Sequence, residues 1–210
     1  MLQGILWLET LKTLLASGKP VPWKFVHSWS CINCGECCKR YVVELTTEEW
    51  IKITRFYGFE VITPGISKYY LRKRSDGSCV FLYSVGDKKF CGLQSLKPKP
   101  CKLWPFYIRE KPVFGFPDQA IYYYKSEEFY IYVDPFCRGL IWGNPSKQLV
   151  NNLIPEVLEI KLGRLEKQVF STASLGLRLT YPTVKTNIQQ VNLLERNLKS
   201  YNIKSLDYYE

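Results

Sequence analysis

The cysteines of this chain constrain its fold more than any other feature, because four of the eight lie within residues 31–38. The first group is Cys31, Cys34, Cys37 and Cys38, and the others follow as Cys79, Cys91, Cys101 and Cys137. The chain has 210 residues, of which 46% are hydrophobic, so it can bury a sizeable core without covalent cross-links. Its cysteine content is also well below that of small secreted disulfide scaffolds. The grouping therefore favours metal binding over disulfides.

Cys31, Cys34 and Cys37 form a C-x-x-C-x-x-C run. This spacing lets one tight loop turn three sulfurs toward a single centre, as in ferredoxin-type loops. Cys38 is unusual, because adjacent side chains point apart in most backbone conformations. We therefore predict that Cys37 and Cys38 do not ligate the same ion in a simple tetrahedral site. The fourth ligand must then come from far away in the sequence, and the candidates are Cys79, Cys91 and Cys101.

The net charge of +10 is concentrated near the later cysteines, since residues 61–115 contain eleven basic and three acidic residues. Four thiolates around zinc, or around an oxidised 4Fe-4S centre, leave about two negative charges that are costly to bury without nearby cations or donors. We expect Lys97, Lys99 and Lys102 to compensate part of this charge. Trp104, which follows Cys101 closely, is expected to shield the centre from water.

The order and spacing of these elements resemble the CxxCxxCC, or YkgJ-like, family of zinc- or iron-chelating domains. The matching stretches are Cys31-Ile-Asn-Cys34-Gly-Glu-Cys37-Cys38, Cys79-Val-Phe-Leu, Cys91, Lys97-Pro-Lys-Pro-Cys101-Lys-Leu-Trp-Pro105 and Cys137-Arg-Gly139. Lys97, Lys102 and Trp104 stand where the family usually has Arg, Arg and Phe. The resemblance covers residues 28–143 and implies metal binding. It extends to the flagellin lysine methylase group, so a component of a lysine N-methylase-like enzyme is one implied function.

Zinc and an iron-sulfur cluster are the two centres that these thiolates can hold. Structural zinc sites usually include histidine and a second, separate C-x-x-C pair, whereas the single histidine, His27, lies outside the motif and no C-x-x-C occurs outside the run at residues 31–37. A triple run followed by single remote cysteines is closer to cluster ligation. We therefore predict an iron-sulfur cluster of the 4Fe-4S type, with zinc as the alternative. One site, two sites, or one site with a disulfide all stay open.

The cluster would give the protein an electron-transfer or cluster-dependent accessory role. The zinc alternative is a structural module that mediates protein or RNA and ribosome interaction. The sequence contains no P-loop, no G-x-G-x-x-G motif and no G-x-S-x-G elbow, so it does not indicate nucleotide or hydrolase chemistry. Whether the chain is an enzyme is left open.

The remaining sequence predicts an α+β fold with irregular loops and β-hairpins around the cysteines. Apolar residues at helical spacing predict a helix over residues 2–16. Thr46 and Glu49 form a capping box that opens a second helix, and Gly58 ends it. One predicted hairpin carries Cys79 and Cys91 on its two arms. A second is centred on Ser126-Glu127, and further helical patterns cover residues 147–170 and 184–201.

We divide the chain into a docking helix (1–19), a cysteine-cluster metal-binding domain (20–145) and a helical C-terminal extension (146–210). No hydrophobic stretch is long enough to span a membrane, so we expect a cytoplasmic protein, in a compartment that keeps thiols reduced. The terminal helices are expected to pack on the central domain or to bind an unknown protein partner. The basic patch at residues 68–74 is either a nucleic-acid contact or a solvated strand edge.

Overall fold

The computed structural model describes residues 2–94 and 96–172, with side chains from Glu9 onward. Its helices are α1 (Leu2–Ser17), α2 (Glu36–Arg40), α3 (Thr47–Tyr57), α4 (Lys99–Leu103), α5 (Pro117–Ala120) and α6 (Ile154–Lys161). Its strands are β1 (Val21–Pro22), β2 (Val26–Trp29), β3 (Glu44–Leu45), β4 (Ile62–Pro64), β5 (Tyr69–Leu71), β6 (Leu82–Val85), β7 (Lys88–Cys91), β8 (Phe106–Arg109), β9 (Ile121–Tyr124), β10 (Glu127–Val133) and β11 (Leu140–Trp142). Helices combined with small sheets confirm the predicted α+β class.

The largest sheet is antiparallel and is built around β10. Strand β8 pairs along one edge of β10, while β9 and β1 share the other edge, β9 at the start of β10 and β1 at its end. The turn between β9 and β10 is formed by Lys125 and Ser126, which both have positive φ values of 49° and 67°. Because two such residues match the twist of a tight hairpin, the turn lies one residue earlier than the predicted Ser126-Glu127.

Residues 2–94 and 96–172 also form three smaller antiparallel sheets. Strand β5 lies between β3 and β4, β11 pairs with β2, and β6 forms a hairpin with β7. This last hairpin is the predicted one, but only Cys91 lies on an arm, where it pairs with Leu82. Cys79 lies three residues before β6, in a single bridge with Lys73, because the chain turns between Cys79 and Leu82. The prediction that Cys79 lies on the hairpin is therefore wrong.

Apolar side chains form two separate cores. The first contains the inner face of the large sheet, the apolar side of α6 and, from α1, the buried Leu11 and Leu14. The second lies between α3 and the β3–β5–β4 sheet and contains Ile53 and Leu71. The predicted N-terminal helix is confirmed, and its described side chains pack on the first core of the same chain.

Helix α3 begins and ends as its sequence predicts. The Thr46 hydroxyl accepts a hydrogen bond from the Glu49 amide at 3.2 Å, and the Glu49 carboxylate accepts one from the Thr46 amide at 3.0 Å. These two bonds satisfy amides that the first turn of a helix leaves free. At the other end Gly58 has a φ of 80°, which glycine adopts without a steric penalty.

The helix observed in the region 147–170 is shorter than the apolar pattern predicted. A π-helical turn at Leu149–Leu153 leads into α6, which ends at Lys161, and Gly163 then takes a left-handed φ of 74°. The Arg164 amide bonds back to the carbonyl of Glu159, which closes the helix. The described residues beyond that point form a non-helical segment, in which Leu165, Val169 and Phe170 are exposed. The helix predicted at 184–201 lies outside the described residues.

Within the described part of the chain, every helix is too short or too polar to serve as a transmembrane segment.

Candidate metal centre

Six of the eight cysteines line one cavity of about 90 Å³, which we call the cysteine cavity. They come from four separate places in the chain, and they are Cys31, Cys37, Cys38, Cys79, Cys91 and Cys101. The cavity lies where the two cores meet, because Cys31 packs against the first core and Cys38, Cys79, Cys91 and Cys101 belong to or pack against the second. Thiols that are distant in sequence therefore share one enclosed space.

The loop from Cys31 to Cys38 is held against strand β7. Asn33 and Gly35 both have positive φ values, of 57° and 76°, which fold the loop tightly. The Lys89 amide donates to the Asn33 carbonyl at 2.8 Å, and a Cβ added to Gly35 would lie 3.0 Å from the Lys89 side chain. Glycine at position 35 therefore permits both the positive φ of the turn and the short distance between the loop and Lys89 in β7.

Cys37 and Cys38 have their sulfur atoms 3.9 Å apart. The expectation that these adjacent side chains point apart is wrong, because both residues lie in the short helix α2. Successive side chains on a helix diverge by about 100° and not by the 180° of a strand. Both sulfurs consequently face the cysteine cavity and are close enough to act together.

Cys79 reaches the same cavity through backbone pairing with the loop. Its amide donates to the Cys38 carbonyl at 2.9 Å, and the Lys73 ammonium group donates to the same carbonyl at 2.8 Å. Lys73 thus ties the chain before the hairpin to the end of the cysteine loop. Arg72 and Arg74 likewise donate to backbone carbonyls, of Glu60 and of Leu82 and Val80.

Two cysteines do not line the cavity. The side chain of Cys34 is half-buried, while Cys137 is buried and its sulfur accepts a hydrogen bond from the Trp29 indole at 3.2 Å. Burial raises the pKa of the Cys137 thiol, and the Trp29 donor partly offsets this increase. Cys34 and Cys137 are therefore not part of the cavity lining, although Cys34 lies near enough to Cys31 for its charge to raise the Cys31 pKa.

Burial sets the ionisation of most cavity thiols. It raises the pKa of Cys31, Cys79, Cys91 and, most strongly, Cys101, since an apolar surrounding disfavours the thiolate. The hydrogen bond from Cys38 lowers the pKa of Cys37 to about 7, and the same bond raises the pKa of Cys38. Cys37 is thus the thiol that ionises first, and its neighbours stay protonated until a cation stabilises their thiolates.

The four residues predicted to surround the centre, three lysines and one tryptophan, do not all line the cysteine cavity. Lys97 lines the cysteine cavity, and its charge favours the thiolates of Cys37 and Cys91. Trp104 also lines the cavity, with its ring 5.7 Å from that of Tyr41 in an edge-on contact. Lys99 and Lys102 instead line a neighbouring cleft. Of the three lysines, only Lys97 lines the cavity itself.

A polar segment that no motif marks forms another wall of the cavity. Gln168, Ser171 and Thr172 line it, and the segment is held by the buried carboxylate of Glu156. That carboxylate accepts hydrogen bonds from the amides of residues 169–171 at 2.8–2.9 Å and from the Ser171 hydroxyl at 2.6 Å. Sequence inspection missed these residues because a single Glu in a helix carries no local signal of such a role.

Within residues 2–94 and 96–172, no three Cys, His, Asp or Glu side chains already have the spacing of a metal site. The thiols face one cavity but must rotate about their side-chain bonds to converge on an ion. The donor set is all sulfur, and thiolates are preferred by zinc and by iron-sulfur clusters.

Metal binding at the cavity is expected to strengthen as pH rises. Because burial keeps several thiols protonated at neutral pH, each ligand must release a proton when a cation binds. Titration of the chain with Zn²⁺ against a competing chelator at pH values between about 6 and 8 should show the affinity increasing by up to about tenfold per pH unit for each such ligand. An affinity that does not change with pH would contradict cysteine ligation.

Gly139 is the point where the chain after Cys137 crosses the chain before Cys31. The Ser30 amide donates to the Gly139 carbonyl at 3.1 Å, and a Cβ at position 139 would overlap the Ser30 carbonyl oxygen. Gly139→Ala is therefore expected to lower the free energy of unfolding by about 3 kcal/mol, because backbone must move. Urea denaturation of the parent chain and the variant measures this difference in the free energy of unfolding. Gly92→Ala should cost much less, because its Cβ would overlap the exposed Tyr83 ring and make an ordinary contact with the Phe81 carbonyl oxygen; equal losses in the two variants would contradict the argument.

The comparison with known families agrees with this geometry. The model of the CxxCxxCC family, described as "Putative zinc- or iron-chelating domain", matches residues 30–138, which is just over half of the chain and includes all eight cysteines. No curated protein and no solved structure matches the chain. The match and the shared cavity identify the chain as a metal-binding protein. It belongs to the CxxCxxCC family.

Proposed function

We propose that the cysteine cavity holds an iron-sulfur cluster, through four of its six thiolates, and that the protein serves electron transfer or an accessory reaction that depends on the cluster. The observation that supports this most is the cavity itself. Four thiolates at about 2.3 Å from a zinc ion close around it and leave no space at the centre. The cavity has a volume of about 90 Å³ and is lined by six thiols, which suits a centre made of several atoms.

The rest of the cavity has the properties that such a centre needs. An iron-sulfur cluster supplies one-electron transfer, at a potential that depends on its charge, the hydrogen bonds to its sulfurs and its exposure to water. Trp29, Leu71, Leu93 and Trp104 line the cavity with apolar surface, which excludes water. Lys97 provides a nearby positive charge that offsets the buried negative charge of the thiolates.

Structural zinc is the second candidate, and one distance supports it. Neighbouring sulfurs of a tetrahedral zinc site lie about 3.8 Å apart, given a zinc–sulfur bond of about 2.3 Å. The Cys37 and Cys38 sulfurs are separated by 3.9 Å. These two cysteines would then supply one edge of the tetrahedron, and two of the three distant cavity thiols would complete it.

Anaerobic purification followed by elemental analysis and absorbance spectroscopy distinguishes the two candidates. The cluster predicts a brown protein with iron and inorganic sulfide in equal amounts and a broad visible absorbance that bleaches on reduction. A colourless protein with stoichiometric zinc, purified in the same way from cells supplied with iron, would overturn the iron-sulfur proposal and support the zinc site.

A further inference from the structure

A second cavity lies beside the cysteine cavity and has different chemistry. It has a volume of about 410 Å³ and lies between α3, the segment 96–102 and the chain that follows α6. Four lysines line it, namely Lys52, Lys97, Lys99 and Lys102. We call it the lysine cleft. Lys97 also lines the cysteine cavity, so the two spaces are neighbours.

The glutamates of the cleft do not neutralise all of these lysines. Glu48 pairs with Lys52 at 2.6 Å. Both carboxylate oxygens of Glu49 accept backbone amides, from Thr46 at 3.0 Å and from Lys99 at 2.6 Å. Glu166 is exposed and offers its backbone carbonyl, not its carboxylate, to the Lys102 ammonium group at 2.9 Å.

Lys99 consequently has no acidic partner among the described residues, and Lys97 has no carboxylate partner there but lies near the cavity thiolates whose charge it offsets. Their side chains are only partly exposed. A partly buried ammonium group without a counter-charge is unfavourable, and a bound anion would remove this cost. Lysine binds phosphate and carboxylate oxygens as a compact point charge with three donors. Two lysines without a carboxylate partner in one cleft are therefore suited to a ligand with more than one oxyanion group.

The other lining residues narrow the class of ligand. Leu96, Ile160 and Leu165 provide apolar surface for a short carbon skeleton. None of the described lining residues is aromatic, so the cleft offers no ring on which a nucleobase could stack. Its volume is within the range of sites for small molecules.

We propose that the lysine cleft binds a compact organic polyanion, a phosphate ester or polycarboxylate, beside the metal centre, with Lys97 and Lys99 as its principal contacts. This site does not depend on which metal the cysteine cavity holds. Apart from Lys97, the residues that line the cleft do not line the cysteine cavity. Of the two principal contacts, Lys99 is therefore the one that can be replaced without changing the lining of the cysteine cavity.

Isothermal titration of the metal-loaded full chain in chloride buffer tests the proposal. Fructose bisphosphate and tricarballylate are the two probes, and they distinguish phosphate ester from polycarboxylate. At least one is expected to bind one molecule per chain, with an affinity that falls about tenfold or more in Lys99→Gln. Lys99→Arg, which keeps the charge, should retain most of the affinity, and Lys111→Gln, outside the cleft, should leave it unchanged.

Absence of binding by both probes at millimolar concentration would overturn the proposal, and so would equal affinity of the parent chain and Lys99→Gln. Loss of affinity in Lys111→Gln to the same extent would also overturn it, since this would indicate attraction by net charge alone. Metal content is measured in each sample. Binding that persists in a chain found to hold no metal would leave the cleft in place while contradicting the metal-centre proposal.

Discussion

Cys37→Ser is expected to purify with little bound metal and with a large loss of stability. Cys37 lies closest to the middle of the cavity thiols, since its charge acts on Cys31, Cys79, Cys91 and Cys101 and its sulfur is 3.9 Å from that of Cys38. It is also the thiol with a pKa lowered to about 7, so it supplies a thiolate most readily at neutral pH. A serine hydroxyl is a poor ligand for zinc or for iron in a cluster.

The loss of stability follows from the loss of metal. A metal that binds the folded chain and not the unfolded chain contributes its binding free energy to folding, which is on the order of 10 kcal/mol for structural zinc in small domains. This chain has two apolar cores of its own, so we expect a folded but weakened variant. Elemental analysis gives the metal content, and urea denaturation with and without a chelator gives the change in unfolding free energy.

Cys137→Ser is the matched control, because its sulfur lies outside the cysteine cavity. It should keep its metal and lose only the stability that comes from the buried sulfur and its Trp29 hydrogen bond. Full metal content in Cys37→Ser would contradict the cavity as the metal centre. Loss of metal in Cys137→Ser would instead place this residue among the ligands and require a larger movement of the chain.

Glu156→Ala is expected to lower the unfolding free energy by about 3 kcal/mol or more, the largest effect of any change outside the cysteines. The carboxylate is buried, with 6% of its surface exposed, and accepts four hydrogen bonds from residues 169–171. Removing it leaves three amides and one hydroxyl without partners, and each buried unsatisfied group costs about 1–3 kcal/mol unless water reaches it. The segment is therefore expected to detach.

Detachment should also open the cysteine cavity, because Gln168, Ser171 and Thr172 form part of its wall. Metal release to a chelator is then expected to be faster in Glu156→Ala than in the parent chain, in addition to the loss of stability in urea. Glu159→Ala is the control on the same helix, since the half-buried Glu159 interacts with Tyr124, Lys125 and Arg164 near the surface and not with residues 169–171. Identical behaviour of the two variants would show that Glu156 does not hold the segment.

Several local features could be predicted because their signals are short in sequence. The capping box at Thr46 and Glu49, the glycine that ends α3 and the two hairpins depend on residues within a few positions of one another. The predicted C-terminal helix was too long for a physical reason that can also be named. A helical pattern continues past Lys161, but Gly163 and the bonds to Glu156 give the following residues a better alternative than helix.

The sequence by itself determined that this chain is a cysteine-based metal protein of the CxxCxxCC family, because ligand type and spacing are encoded in adjacent residues. Only the tertiary structure decided which thiols line one cavity, that Cys37 and Cys38 both face it, and that Lys97 lines this cavity as well as the lysine cleft while Lys99 and Lys102 line the cleft and not the cavity. The physical reason is that these relations depend on the packing of two cores against each other. Contacts between residues dozens of positions apart leave no periodic or local pattern in one sequence.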